Sequence, residues 1–384
     1  MGMKTQGAVG EQCGCWIRLG ALATTLLMVT AAGAEQQGSP DAPQDWIELD
    51  PGGTYFVAAG SGKRFTPWGL NYVRDAAGRL LADYWINQWE TVAGDFREMS
   101  SLGANTVRVH LQLSTFMGGP EQVDEAALAQ LDRLLELANK TRLYLILTGL
   151  GTYRIDDIPD WYQTLDEAAR WRVQARFWQA IAKLCRDRPT VFAYDLMNEP
   201  MLPTERQRST KKWVTGKLGD WYYAQYLSLD LAGRSQADLA AGWVETMVAA
   251  IRKYDKRHLI TVGVAALFPR RVSAVYAAAA LDNLDFVSIH LYPRSSRMND
   301  ANVHLDSYQL GKPLVVSEIF PLLCTMDELA QFIAASQSRV QGWLGFYWGQ
   351  PASRIDAASS ITNASTCDWQ AYFRARAPIP TEAE

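Results

Sequence analysis

Eight short apolar runs recur between Thr66 and Trp348, each followed by a longer stretch with helical periodicity, and this alternation restricts the fold more than any other feature. The runs are Thr66–Tyr72, Asn105–His110, Leu143–Thr148, Val191–Met197, Leu259–Val264, Phe286–His290, Pro313–Ser317 and Gly342–Trp348. They are nearly continuous in apolar residues, as expected for parallel strands covered on both faces. Between them Leu128, Leu131, Leu135 and Ala138 share one helical face, as do Val173, Phe177, Ile181 and Leu184. Trp243, Val244, Met247, Val248 and Ile251 repeat the pattern, whereas the sixth and eighth helices (301–310 and 367–375) show only short ones. Eight β/α units without a domain-breaking linker predict an α/β fold, a single (β/α)8 TIM barrel. Ahead of it, Thr54–Ala58 and Arg64–Trp68 flank Ala59–Lys63 and predict a short N-terminal hairpin.

The chain opens with Lys4 and Arg18, the apolar run Leu19–Thr30 and the small-residue ending Ala32-Gly33-Ala34. That pattern reads as a secretory signal peptide over 1–34, leaving a polar tether over 35–50 and the barrel domain over 51–384. The apolar run is shorter than the ~20 residues a membrane span needs, and no cysteine follows it to carry a lipid. The expected location is secreted or periplasmic, with no membrane association after cleavage. A balance of 37 basic and 41 acidic residues gives nucleic acid no electrostatic handle. Gly60-Ser61-Gly62-Lys63 fails as a phosphate loop, because Val57 stands where the first glycine is required and Arg64 follows the lysine. Four histidines without His-x-x-x-His spacing, and no Cys-x-x-Cys beyond position 34, predict no metal and no cofactor. No Gly-x-Ser-x-Gly elbow is present either. A monomer is expected.

The strand ends carry the polar residues. Pro200 stops the fourth run, since proline cannot donate to a sheet, and leaves Asn198 and Glu199 at its carboxyl end. Glu318 stands at the end of the seventh run in the same way. Arg108 lies near the end of the second, His290 and Tyr292 at the sixth, and Trp348 at the eighth. In a β/α barrel these ends form the face where chemistry occurs. Polar groups gathered on one rim of an apolar barrel would cost stability if they only filled space. Two glutamates on two strand ends suggest the carboxylate pair of a glycosidase.

Phe192-Ala-Tyr-Asp-Leu-Met-Asn-Glu-Pro200, His290-Leu-Tyr292 and Val315-Val-Ser-Glu318 resemble glycoside hydrolase family 5, the cellulase and β-mannanase family of clan A. The resemblance implies a retaining double displacement on β-1,4-linked glucan or mannan, with Glu199 as acid/base and Glu318 as nucleophile. Glu318 has to stay ionised, which an Arg108 cation and a Tyr292 donor favour; Glu199 has to enter the reaction protonated. Asn198 is expected to bind the sugar 2-OH, His290 to orient Glu199, and Trp348 to form the floor under the reacting sugar. The chain departs from the family at the end of strand three, where many members carry a histidine and this one has Leu147-Thr-Gly-Leu-Gly151. His110 is one group that could fill that space. His258, at the amino end of strand five, reads as structural, and His304 has no sequence context.

A long connection, Met201 to Arg234, follows the Glu199 strand with Trp213, Trp221, Tyr222, Tyr223 and Tyr226. Loops of that length are often functional. Its rings either touch substrate or pack the loop onto the barrel; it favours endo-action, yet closing one end of the groove would enforce exo-action. Cys324 and Cys367 follow strands seven and eight, so in an exported protein they are expected to pair and leave Cys185 free. Two further readings share the same residues: a transglycosylase of a surface glycan, and a sugar-binding barrel without turnover. Both glutamates and Asn198 being present weighs against the latter.

Overall fold

The computed structural model describes residues 44–204, 212–346 and 348–377. The expected signal peptide and the tether up to position 43 lie outside the described residues. Within them, eight strand positions alternate with helices, as the apolar runs required. The strands are Trp68–Tyr72, Thr106–Gln112, Tyr144–Gly151, Val191–Asp195, a fifth in two pieces (Leu259–Thr261 and Gly263–Ala265), Val287–His290, Leu314–Ile319 and Gly342–Gly345. All pair in parallel with their sequence neighbours, and strand eight returns to strand one through Leu344 and Gly69. The ring closes at strand five. Its first piece pairs with strand four and its second with strand six. Between them the Tyr276 hydroxyl donates to the Val262 carbonyl and accepts the Ser288 amide.

Helices surround the barrel and bury their periodic faces on it. The helix Glu125–Lys140 starts on Asp124, whose carboxylate accepts the Ala127 amide, and Glu167–Cys185 starts on Asp166 in the same way. Gln236–Arg252 and Met326–Ser336 open on reciprocal capping boxes, Ser235 with Asp238 and Thr325 with Glu328. The two units with weak patterns are also helical, at Met298–Ser307 and Ile361–Ala375. Their inner faces rest on few residues (Ala301 and Leu305; Trp369 and Phe373), so the apolar repeat is faint.

The N-terminal hairpin forms, and a third strand joins it. Ile47–Leu49, inside the stretch read as tether, pairs antiparallel with Phe56–Ala58, which pairs in turn with Arg64–Phe65. This sheet plugs the amino end of the barrel. Ile47 and Phe56 pack among Ile146, Phe192, Leu259, Phe286, Val315 and Leu344. Phe56 meets Phe192 and Phe286 edge-on, at 5.0 and 5.3 Å between ring centroids. The long connection after strand four is likewise built rather than loose. Val214–Leu218 and Trp221–Tyr226 form a hairpin, which pairs with Pro200–Met201.

The expected Cys324–Cys367 bridge does not form: Cys185, Cys324 and Cys367 are all free thiols. Cys367 sits on the helix Ile361–Ala375, not in the rim loop that strand order suggested. Burial pushes the Cys185 thiol up and that of Cys324 up to about 11, so both stay protonated and unreactive near neutral pH. Thiol titration of the denatured, unreduced protein from position 35 onward is therefore expected to yield three thiols; one thiol would restore the bridge.

Candidate active site

The carboxyl ends of the strands bring a connected set of polar side chains into the mouth of the barrel. Its centre is Arg108 on strand two, wholly buried. Its guanidinium donates to Asp195 of strand four through Nε (3.0 Å) and NH2 (2.7 Å), and to Asn198 Oδ1 at 2.8 Å. NH1 donates to Asn71 of strand one at 2.9 Å and to Glu318 Oε1 at 2.7 Å. Burial works against this charge, but Asp195 and Glu318 outweigh it, so the guanidinium is held cationic above its ordinary range. Asp195 also accepts the Thr148 hydroxyl and the Gly263 amide, and Asn71 donates to the Ser317 carbonyl. Arg108 is thus held by strands one and four, with strands three and five fixing Asp195, while it holds a carboxylate on strand seven.

Glu318 is buried and accepts a second bond, 2.7 Å, from the Tyr292 hydroxyl. Burial first, then Glu318 itself, raises the Tyr292 phenol well above its usual range, so it remains a donor. Glu199 faces it. Its backbone has φ +48°, a left-handed conformation uncommon without glycine, on the residue before a proline. The Glu199 amide donates to the Gly263 carbonyl at 2.8 Å, which helps hold that turn. The Glu199 carboxylate meets His290 Nδ1 at 2.8 Å, and the same nitrogen lies 3.6 Å from Glu318 Oε1. One carboxylate oxygen of each glutamate and the His290 nitrogen all fall within 4.8 Å of one another. The two acids differ in setting: the Glu199 side chain is 20 % exposed, that of Glu318 only 6 %. A His and two carboxylates could ligate a cation, but Arg108 already supplies the positive charge at Glu318 and Tyr292 takes its other oxygen.

His110, two residues beyond Arg108, lies in the region left open by the missing strand-three histidine. Its Nε2 is 3.1 Å from Arg108 NH1, and its Nδ1 is 2.6 Å from the Tyr153 hydroxyl. Burial, then the charge of Arg108, then His290 hold its pKa well below 6.5, so it stays neutral. His258 is bonded to Asp255 and the Arg188 carbonyl, far from the mouth, in the structural role expected of it. Of the expected residues, Arg108, Asn198, Glu199, His290, Tyr292 and Glu318 are brought together.

Trp348 is not. Strand eight ends at Gly345, and the chain then turns so that the Trp348 amide donates to the Asn71 carbonyl and the indole is 0 % exposed in the main core. No face of the ring is left for a sugar. Half-buried Phe346 instead sits edge-on to Tyr292 at 6.2 Å, beside the site. Asn71, Asp195, Tyr153 and Gly263 were missed by sequence reasoning. Asp195 had a signal: a carboxylate inside a buried strand requires a counterion, and Arg108 was the available one. Gly263 gave none, since its role depends on neighbours distant in sequence. A Cβ there would lie 2.8 Å from His290 Nε2, 2.9 Å from Arg108 NH2 and 3.0 Å from Asp195 Oδ2.

Two hollows, of about 420 and 260 Å3, border the site and meet at Glu199. The larger is lined by His290, Tyr292, Arg297 and His304, the smaller by Met201, Phe268 and Tyr308, among others.

Residues 61–333 match the sequence model of the family described as Cellulase (glycosyl hydrolase family 5). Mannan endo-1,4-beta-mannosidases 1 and 2 of Oryza sativa subsp. japonica are each 24% identical over 162 and 165 residues, or 35% of this chain. The matched part is only 31% of those proteins' own length. Among solved structures, the exo-beta-1,4-mannosidase Op5Man5 from Opitutaceae bacterium strain TAV5 superposes with a TM-score of 0.62 at 18% identity, covering 85% of this chain and 62% of that one. The beta-1,4-mannanase of the sea hare Aplysia kurodai gives 0.60 at 14% identity, covering 87% and 100%. Beta-glucanase SdGluc5_26A from Saccharophagus degradans gives 0.57 at 18%, covering 87% and 93%. At these identities the likeness is one of fold.

Two outcomes are expected from this geometry. Gly263→Ala displaces Arg108 or His290 and costs roughly 1–3 kcal/mol, as overpacking of a tight interior does; denaturant unfolding measures it. Because the unfolded chain takes up a proton at His110 near pH 6.5 that the folded chain refuses, stability falls as pH drops below that value. In His110→Gln that part of the slope, at most about 1.4 kcal/mol per pH unit, is absent when urea unfolding is compared at pH 7 and pH 5.

Proposed function

Because the chain belongs to glycosyl hydrolase family 5, we propose that it is a retaining β-glycoside hydrolase acting on β-1,4-linked mannan or glucan chains. The observation that carries the mechanism is the close approach of the two glutamates, with oxygens within 4.8 Å. Retaining enzymes hold their carboxyls about 5–5.5 Å apart, whereas inverting ones leave ~6.5–9.5 Å for a water. The names of the relatives, mannanases and a glucanase, support the substrate class.

The two acids divide the work by their surroundings. Arg108 and Tyr292 both donate to Glu318, which fixes its oxygens for attack on the anomeric carbon. Glu199, more exposed and facing the hollows, protonates the departing oxygen, and His290 holds its carboxyl in place. When the C1–O bond to the leaving sugar breaks, a bond forms from C1 to Glu318. Glu199, now deprotonated, takes a proton from water as that water displaces Glu318. Asn198 sits between Arg108 and the Tyr223 carbonyl, to which its Nδ2 donates at 2.9 Å. Its second amide hydrogen remains for the sugar 2-OH, a contact that strengthens as positive charge develops at C1. Tyr292 donates to Oε2 of Glu318 while Arg108 donates to Oε1, so the two oxygens are held by different partners. The leader pattern over 1–34 supports export, and the substrate polymer would be met outside the cytoplasm by a monomer.

Glu318→Gln is expected to abolish turnover of every substrate. Glu199→Ala should lose about 10²–10⁴-fold on polysaccharide, the usual contribution of a general acid, yet retain activity on aryl glycosides whose leaving group needs no proton. Equal and complete loss on both substrate types in both variants would sink the assignment.

A further inference from the structure

Among the described residues, hollows open on the Glu199 side of the glutamate pair, while the rim beyond Asn198 is packed with side chains. Both hollows touch Glu199, and neither is lined by Glu318, Asn198 or Arg108. Under the roles proposed above, Glu199 serves the departing oxygen, so the hollows accommodate the leaving part of the substrate. The larger one carries hydrogen-bonding groups suited to sugar hydroxyls. His304 is buried with Nδ1 free of any hydrogen bond, and Arg297 and Asp300 pair with each other at its wall.

On the opposite side the rim is filled. Val73 and Leu80 beyond strand one, Tyr153 beyond strand three and Trp221 of the hairpin are buried against one another, with Tyr223 and Phe346 packed on them. The hairpin is fastened there rather than draped. The Tyr222 amide donates to the Tyr153 carbonyl at 2.8 Å, and the Gln225 side chain donates to the Leu150 carbonyl at 2.5 Å. Asn198 donates to the Tyr223 carbonyl, and the Arg74 guanidinium lies 5.5 Å from the Trp221 ring centroid. This plug starts directly beside the groups that receive the attacked sugar: Tyr223 at Asn198, and Phe346 edge-on to Tyr292. None of its members lines either hollow.

We infer that the enzyme is exo-acting: one terminal sugar fits between the glutamates and the plug, and the rest of the chain leaves through the hollows. The sugar that becomes bonded to Glu318 is the one on the non-reducing side of the broken linkage, so single residues come off the non-reducing end. Each cycle consumes one water, whose oxygen ends on C1 of the released monosaccharide, while the shortened chain keeps the old glycosidic oxygen with the proton from Glu199. The inference rests on the hydrolase reading and on the closed rim together. It chooses between the two alternatives that the long aromatic connection left open.

The test uses the full chain with β-1,4-mannohexaose and cellohexaose labelled at the reducing end, and with 4-nitrophenyl β-mannoside and β-glucoside as short substrates. Early samples should contain labelled pentasaccharide and free monosaccharide, followed in order by labelled tetra- and trisaccharide. Labelled di- or trisaccharide among the first products would overturn the one-ended cleft while leaving the hydrolase reading intact. Failure to cleave any of the four compounds would overturn both. Trp221→Ala removes the largest ring of the plug and should shift the products toward unlabelled disaccharide; an unchanged product ratio in the folded variant would show that the hairpin does not set the cleavage mode.

Discussion

The site hangs on one buried cation. Taking a guanidinium out of water costs several kcal/mol, and only close, well-aimed partners recover it. Arg108 has them at strands one, four and seven of the barrel, two carboxylates among them. The arrangement ties the Glu318 carboxylate to the sheet so that its position is set by the barrel and not by a loop. Removing Arg108 itself would leave Asp195 and Glu318 as buried carboxylates without their counterion. Burial first, and then the same cation, keep His110 neutral beside it.

The glutamates themselves are presented differently. Glu318 lies within its strand, at a point where the pairing shifts register, whereas Glu199 lies four residues past the end of strand four, in a left-handed turn anchored on the Gly263 carbonyl. Backbone held in such a region is a small energetic cost of about 1–2 kcal/mol, offset by the packing around it. Strand five makes room for this turn. Its interruption at Val262 frees the Gly263 amide for Asp195 and its carbonyl for Glu199. A single irregular residue in one strand thereby serves both sides of the site.

Much of this was legible in the residues. Parallel strands buried on both faces leave a strong apolar signature, so all eight barrel strands were identifiable, as were the polar residues at their ends. Where the reading failed, the cause was non-local. Ile47–Leu49 is three residues long and becomes a strand only because Phe56–Ala58 offers it an edge. Trp348 carried the expected residue type in the expected run, but the strand stops at Gly345 and the turn that follows sends the indole inward. Cys324 and Cys367 looked adjacent because strand order says nothing about where the last helix begins. Asp195 and Gly263 act through side chains that sequence separation hides, and the aromatic hairpin was readable as a long connection but not as a plug.

The sheet at the other end of the barrel ties the N-terminal hairpin to the last two barrel strands. Ile47 and Phe56 pack in one cluster with Val315 and Leu344, nearly three hundred positions away. During synthesis that segment emerges before any barrel strand, yet its seat is completed only when strands seven and eight exist. Contacts of such long sequence separation are slow to form, so the chain stays incompletely closed, with apolar strand surface uncovered, until almost all of it has been made.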